Sequence, residues 1–325
     1  MKFSLKNGFL TQVVKIFVLF LTLVFLYKAF VTTRQQLADL PDHFSQLFRY
    51  SNLFKILSVV FLIPLNWGFE ALKWKHLSKK FEQVSFLRAY RSVMAGLTLG
   101  FITPNRIGDY AGRILELKSS DRLDAIGAVF LGRFCQMVVT VVFGCLSFIY
   151  FLPYFIDAEM KLIYWLFFVL LVTTAVVTVA SLFLCRFLIG FLKSVTFLKK
   201  YVHYIDVIAT YSSKEIANIL FLSVLRYCVF CLQFLLLLHV FGVELSWWQY
   251  LPGIAVTFLL KSLVPTLNFV SEVGMRELAS MHFFSLLHQN VLLVMGASLS
   301  LWVLNLAVPS AVGLLFVLRL KFFRK

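Results

Sequence analysis

Apolar runs of about twenty residues or more recur along the chain, at about 10–31, 52–72, 125–151, 162–185, 216–241 and 290–318. An α-helix of that length crosses the hydrocarbon core of a bilayer, so each run predicts a transmembrane helix. Two further apolar segments, about 92–103 and 250–264, are too short to cross comfortably, and each stops at a proline, Pro104 or Pro265. Proline lacks an N–H and ends or kinks the helix before it. The pattern therefore predicts an all-α polytopic membrane protein with six full spans and two broken or re-entrant helical segments. No polar stretch is long enough for a separate soluble domain, so 1–325 reads as one integral membrane domain, with halves at about 10–151 and 162–318. In each half a span is followed by a short apolar segment, a proline, a glycine with an acid–arginine cluster, and a long span. That order suggests an inverted repeat, an arrangement that places a transport site between two opposed broken helices.

The polar residues after the two prolines are the candidate chemistry. The first motif runs Pro104-Asn105-Arg106-Ile107-Gly108-Asp109 and is followed by Arg113; the second runs from Pro265 through Glu272, Gly274, Arg276 and Glu277. A charge at bilayer depth costs about 2.5–3.5 kcal/mol on insertion scales, so it tends to have a task or a partner. Asp109 and Glu272 each stand four residues before an arginine, a spacing that pairs them with Arg113 and Arg276 on one helix face. Two readings follow. Arg106, Arg113 and Arg276 hold an anionic headgroup, because guanidinium matches phosphate oxygens in a bidentate way; or the pairs are structural and only let a broken helix sit in the membrane. Gly108 and Gly274 permit a turn or a close helix approach, and a helix starting there would aim free N–H groups at an anion. Glu70, Arg133, Arg226 and Lys261 also lie in or beside apolar segments and read as structural, with Glu70 or Glu277 as partner for the two arginines.

Charge settles orientation. The net charge is +16, and Lys and Arg concentrate in 73–91, 186–203 and the C-terminal tail, whereas 152–161 and 242–249 are nearly free of them. Basic loops stay in the cytoplasm. Threading the spans on that rule puts both termini inside, with the first broken segment entering from the cytoplasmic side and the second from the outer side. The basic balance then reflects membrane topology and anionic lipid, with no nucleic-acid motif. The N-terminal apolar run is longer than a signal-peptide core and lacks a small-residue cleavage site, so it reads as an uncleaved span.

Composition adds little chemistry. Of 325 residues 61% are hydrophobic, and mean hydropathy is +0.88. The five cysteines fall within apolar runs, and Cys228-x-x-Cys231 is mid-helix, so buried thiols are expected there instead of a disulfide or metal site. No metal, cofactor or nucleotide motif and no Ser-His-Asp arrangement is visible, which weighs against an enzyme.

The two motifs resemble those of the flippase-like, lysylphosphatidylglycerol synthase transmembrane family, over roughly 10–320. The first matches as Pro104, Arg106, Gly108, Asp109 and Arg113, the second as Pro265, Gly274, Arg276 and Glu277; Trp74, closing the second span, also fits. Asp109 stands where the family usually has Glu, and the second motif is poorer in glycine than usual. The chain ends at Lys325, just after the last span, so a stand-alone member without the aminoacyl-transferase domain is expected. The resemblance implies a multi-pass protein of the bacterial inner membrane that handles or translocates a membrane lipid. An anionic phospholipid is the expected ligand. The alternative is a non-catalytic membrane subunit that supplies lipid to a partner transferase. A scaffold held by ion pairs is the plainest reading, and homo-oligomer formation stays open.

Overall fold

A computed structural model describes residues 50–103, 106–118, 125–157, 159–194, 203–263 and 269–318. The expected first span at 10–31 and the two prolines, Pro104 and Pro265, lie outside these residues, as does the side chain of Glu272. All regular structure among the described residues is helical, with no strand among them.

Five helices or continuous helix pairs are long and apolar enough to cross a membrane. They are α1 (Tyr50–Ser78), α4 (Ala125–Phe155), α5 (Lys161–Ser194), α6 (Ser213–Val240) and the continuous pair α9 (Val291–Trp302) and α10 (Val308–Val317). The spans expected from the apolar runs at 52–72, 125–151, 162–185, 216–241 and 290–318 are thus all present. The helices begin where side chains can take up their free N–H groups. Ser212 and Glu215 form a reciprocal capping box at α6, and Asn290 accepts from the Leu292 amide at 2.9 Å to start α9. Between α9 and α10 the backbone passes through a π-turn, Val303–Ala307. Pro309 explains it. A proline in a helix cannot donate to the carbonyl four residues back and clashes with it, here that of Asn305. Widening the turn relieves the clash, and the Val308 amide reaches Val303 O instead.

The two short apolar segments are helices of 17 residues each, α2 (Phe86–Ile102) and α7 (Trp247–Leu263). Both fold back. α2 is followed by α3 (Ile107–Leu115), and Leu99 faces Gly108 while Gly96 faces Gly112, the antiparallel register of a helical hairpin. Glycine permits the close approach: a Cβ on Gly108 would lie 2.2 Å from Leu99 O, and one on Gly112 would lie 2.3 Å from Gly96 N. The Thr103 hydroxyl ties the bend, donating to Leu99 O at 2.8 Å and accepting from the Gly108 amide at 2.7 Å. α7 is followed by α8 (Phe269–Leu286), with Gly253 against Phe284 and Val256 in a cluster with Phe283 and Leu287.

α1 and α6 run antiparallel, since Asn52 reaches Val240 O at one end, Asn66 meets Arg226, and Tyr211 donates to Leu77 O at the other. α2 enters from the C-terminal end of α1 and α7 from the C-terminal end of α6, so the two hairpins open at opposite ends of the bundle. Two large apolar clusters match these ends. One gathers Trp74, Leu77, Leu131 and Ile219, the other Phe234, Phe241, Tyr250 and Val294. Between them the core is polar.

Candidate functional site

The polar layer begins on α1. Glu70 lies eight residues, about 12 Å at 1.5 Å per residue, before the end of its helix and is buried within the bundle. Its carboxylate binds three cations: Lys73 at 2.8 Å, Arg113 at 2.9 Å and Arg226 at 2.9 Å. Asp109 holds Arg113 through both oxygens, at 2.9 and 3.1 Å, and Arg133 at 2.6 Å. Amides extend the network. Asn66 accepts from Arg226 at 2.9 Å and donates to Gln233, while Gln136 accepts from Lys73 at 3.2 Å. Each of these groups would be costly alone in a dry interior, and the shared partners offset that cost.

The second motif makes a smaller set. Arg276 donates to Glu277 at 2.7 Å and to the Ser298 hydroxyl at 3.0 Å, and Ser298 in turn donates to Glu277. Among the described side chains the acid that meets Arg276 is thus its neighbour in sequence, and the expected pair with Glu272 lies outside them.

Between the two sets lies a cavity of about 200 Å³. Arg106 from the bend of the first hairpin, Lys261 and Arg276 from the second, and Arg226 from α6 line it, with no carboxylate among its described lining residues. Arg226 lies flat over Trp67 at 4.9 Å and near Phe230 at 5.4 Å from the ring centroids, so both rings already carry a cation. Asn305, on the π-turn, is buried to within 1% and also lines the cavity.

The predicted site residues divide accordingly. Arg106 and Arg276 reach the cavity. Asp109 and Arg113 are buried in the ion-pair network, with Arg113 4% exposed and held by two carboxylates. Glu277 anchors Arg276. Gly108 serves the hairpin contact, its amide taken by Thr103, while Gly274 has open space where a Cβ would stand. Arg226 and Lys261, read from the sequence as structural, line the cavity. The partners found for the two buried arginines are Glu70 for Arg226 and Asp109 for Arg133. Asn66, Gln136, Gln233 and Asn305 were not singled out in the sequence. The available signal was a lone amide inside an apolar run, which is expensive unless paired.

No curated protein and no solved structure matches the chain. The family model described as the lysylphosphatidylglycerol synthase TM region does match, over residues 12–313. With its multiple apolar spans, the chain belongs to that family of multi-pass membrane proteins linked to lipid handling.

Proposed function

We propose that the protein is a lipid translocase that admits the phosphate of an anionic membrane lipid into the cavity between the two hairpins. The observation that carries this reading is the lining: four cationic side chains, drawn from both hairpins and α6, around a space inside the bundle of apolar spans. Guanidinium and ammonium groups are the natural partners of phosphate oxygens. Arg226 and Arg276 are already held by Glu70 and Glu277, so an arriving phosphate shares an arginine with its carboxylate and meets a preset donor geometry. Arg113, locked between Asp109 and Glu70, is a positioning residue that fixes Glu70 for Arg226. Because the hairpins open at opposite ends, movement of either one exposes the cavity to one leaflet, the logic of alternating access around a fixed site. The basic loop that follows α1 supports a cytoplasmic position for that end of the bundle.

The test is lipid scrambling by the purified protein in liposomes, with labelled phosphatidylglycerol against labelled phosphatidylcholine. Phosphatidylglycerol should move faster. A Lys261→Ala, Arg106→Ala double variant should lose about ten-fold or more of that rate, the scale of a lost hydrogen bond to a charged group. Equal rates for the two lipids, or an unaffected variant, would sink the reading. No movement of either lipid would favour the second function, presentation of lipid to a partner transferase.

A further inference from the structure

The cations account for a phosphate, but they leave one wall of the cavity unexplained. Asn305 is buried to within 1%, lines the cavity, and has neither its Oδ1 nor its Nδ2 engaged by any described protein group. A buried amide without partners is costly, and natural proteins seldom tolerate both ends unmet without a reason. The backbone around it is also unusual. Asn305 is the middle residue of the π-turn, the turn forced open by Pro309, and such turns recur at functional sites. The chain has thus built a local distortion at the position of an unmet amide, inside the cavity that faces the two hairpins.

Resting on the anionic-lipid reading above, we propose that Asn305 is a specificity-determining residue of the cavity, reading a hydroxyl group carried beside the phosphate. The chemistry of the amide selects a hydroxyl. Phosphate or carboxylate oxygens only accept, and would satisfy Nδ2 alone. An ammonium group only donates, and would satisfy Oδ1 alone while sitting among Arg106, Arg226, Lys261 and Arg276. The aromatic faces that could cage a quaternary amine, Trp67 and Phe230, already carry Arg226. A hydroxyl both donates and accepts, so one hydroxyl, or a pair on adjacent carbons, meets both ends of the amide. The cavity volume of about 200 Å³ falls below the roughly 300–1,000 Å³ of sites that enclose drug-sized ligands, so it suits a small headgroup whose acyl chains stay outside.

The experiment compares binding of phosphatidylglycerol with that of phosphatidylpropanol, which has the same charge and no headgroup hydroxyls, by native mass spectrometry of the detergent-solubilised full chain. The wild type should favour phosphatidylglycerol by about ten-fold or more, as expected when a polar site must otherwise stay unmet. Asn305→Leu, close to isosteric, should bind both lipids alike, at the level of phosphatidylpropanol. Its ligand-free thermal stability should equal or exceed that of the wild type, because an unmet polar group has been removed. A fall in stability with the preference intact would make Asn305 structural and overturn the proposal. Wild-type affinities within two-fold of each other would overturn it while leaving the anionic-lipid site standing. Failure of both lipids to bind would overturn both. Soluble glycerol 1-phosphate, tested alone, separates lipid from free ester: tighter binding of the soluble compound would overturn the lipid assignment.

Discussion

Arg113 shows how much one side chain in a membrane interior can be asked to hold. It joins Glu70 on α1 to Asp109 on its own helix, and through them it touches the environments of Lys73, Arg133 and Arg226. Removing Arg113 takes a cation from both carboxylates at once, although Lys73 and Arg226 stay with Glu70 and Arg133 with Asp109, so the cost falls below the roughly 3–5 kcal/mol of a fully broken buried pair. Arg113→Ala is therefore expected to lose thermal stability and monodispersity in detergent, whereas Lys261→Ala should keep both; thermal unfolding with size-exclusion profiles checks the contrast. If Arg113→Ala stays folded and loses only lipid movement, Arg113 is a ligand contact. The sequence reveals half of this residue's role. Its pairing with Asp109 is readable, because four residues along a helix is a geometric neighbour. Its bond to Glu70 is not, because the partners are 43 residues apart and only tertiary packing brings them together. The same limit applies to Asn305: the amide in an apolar run is visible, but not the cavity it faces.

The two hairpins were legible as interruptions. Short apolar length and a terminal proline mark a helix that stops early; α2 ends at Ile102 as that reading has it, and α7 is described as far as Leu263. Their beginnings were less readable. α2 starts at Phe86, capped by Ser85, because Arg88 and Arg91 belong to the helix although they are polar enough to look like loop. Nor does the sequence separate the roles of glycines in or beside the motifs, such as Gly112, which it did not single out, and Gly274. Gly112 has Gly96 backbone in the way of any Cβ, and Gly274 has nothing within 4 Å. Gly112→Ala should force α2 and α3 apart and destabilise the protein by about 1–3 kcal/mol or more, the range for overpacked sites. Gly274→Ala, in the interior of α8, should be neutral or stabilising by up to about 1 kcal/mol, since alanine favours helix. Thermal unfolding of the two variants side by side gives the comparison; equal effects would mean the hairpin contact is not what the first motif's glycines are for.

At the scale of the molecule, the antiparallel pair α1 and α6 fixes where each hairpin enters. Gln83, between α1 and α2, and Glu244, between α6 and α7, are both exposed and should lie on opposite faces of the membrane. Single cysteines at these positions, treated with an impermeant maleimide in intact cells, should label from outside at 244 alone. Labelling of both from one side would overturn the entry directions. The spans themselves were readable because a bilayer demands long uninterrupted apolar helices. Their neighbours were not, since apolar surface faces lipid and protein alike. α5 is the clearest case, with only 11% of its most apolar window buried inside the protein, so its sequence looks like that of any other span.

The central network has a consequence beyond its own cohesion. Among the described residues, four cations, Lys73, Arg113, Arg133 and Arg226, share the two carboxylates of Glu70 and Asp109. Positive charge is left over where the surrounding medium is least able to screen it. If the chain carries an anionic lipid as proposed, a bound phosphodiester offsets one of the two surplus charges, so the empty return is the more expensive step of the cycle. On that reading the proposed translocase would run best as an exchanger, taking one anion back for each it delivers and needing no other fuel to even out lipid between leaflets.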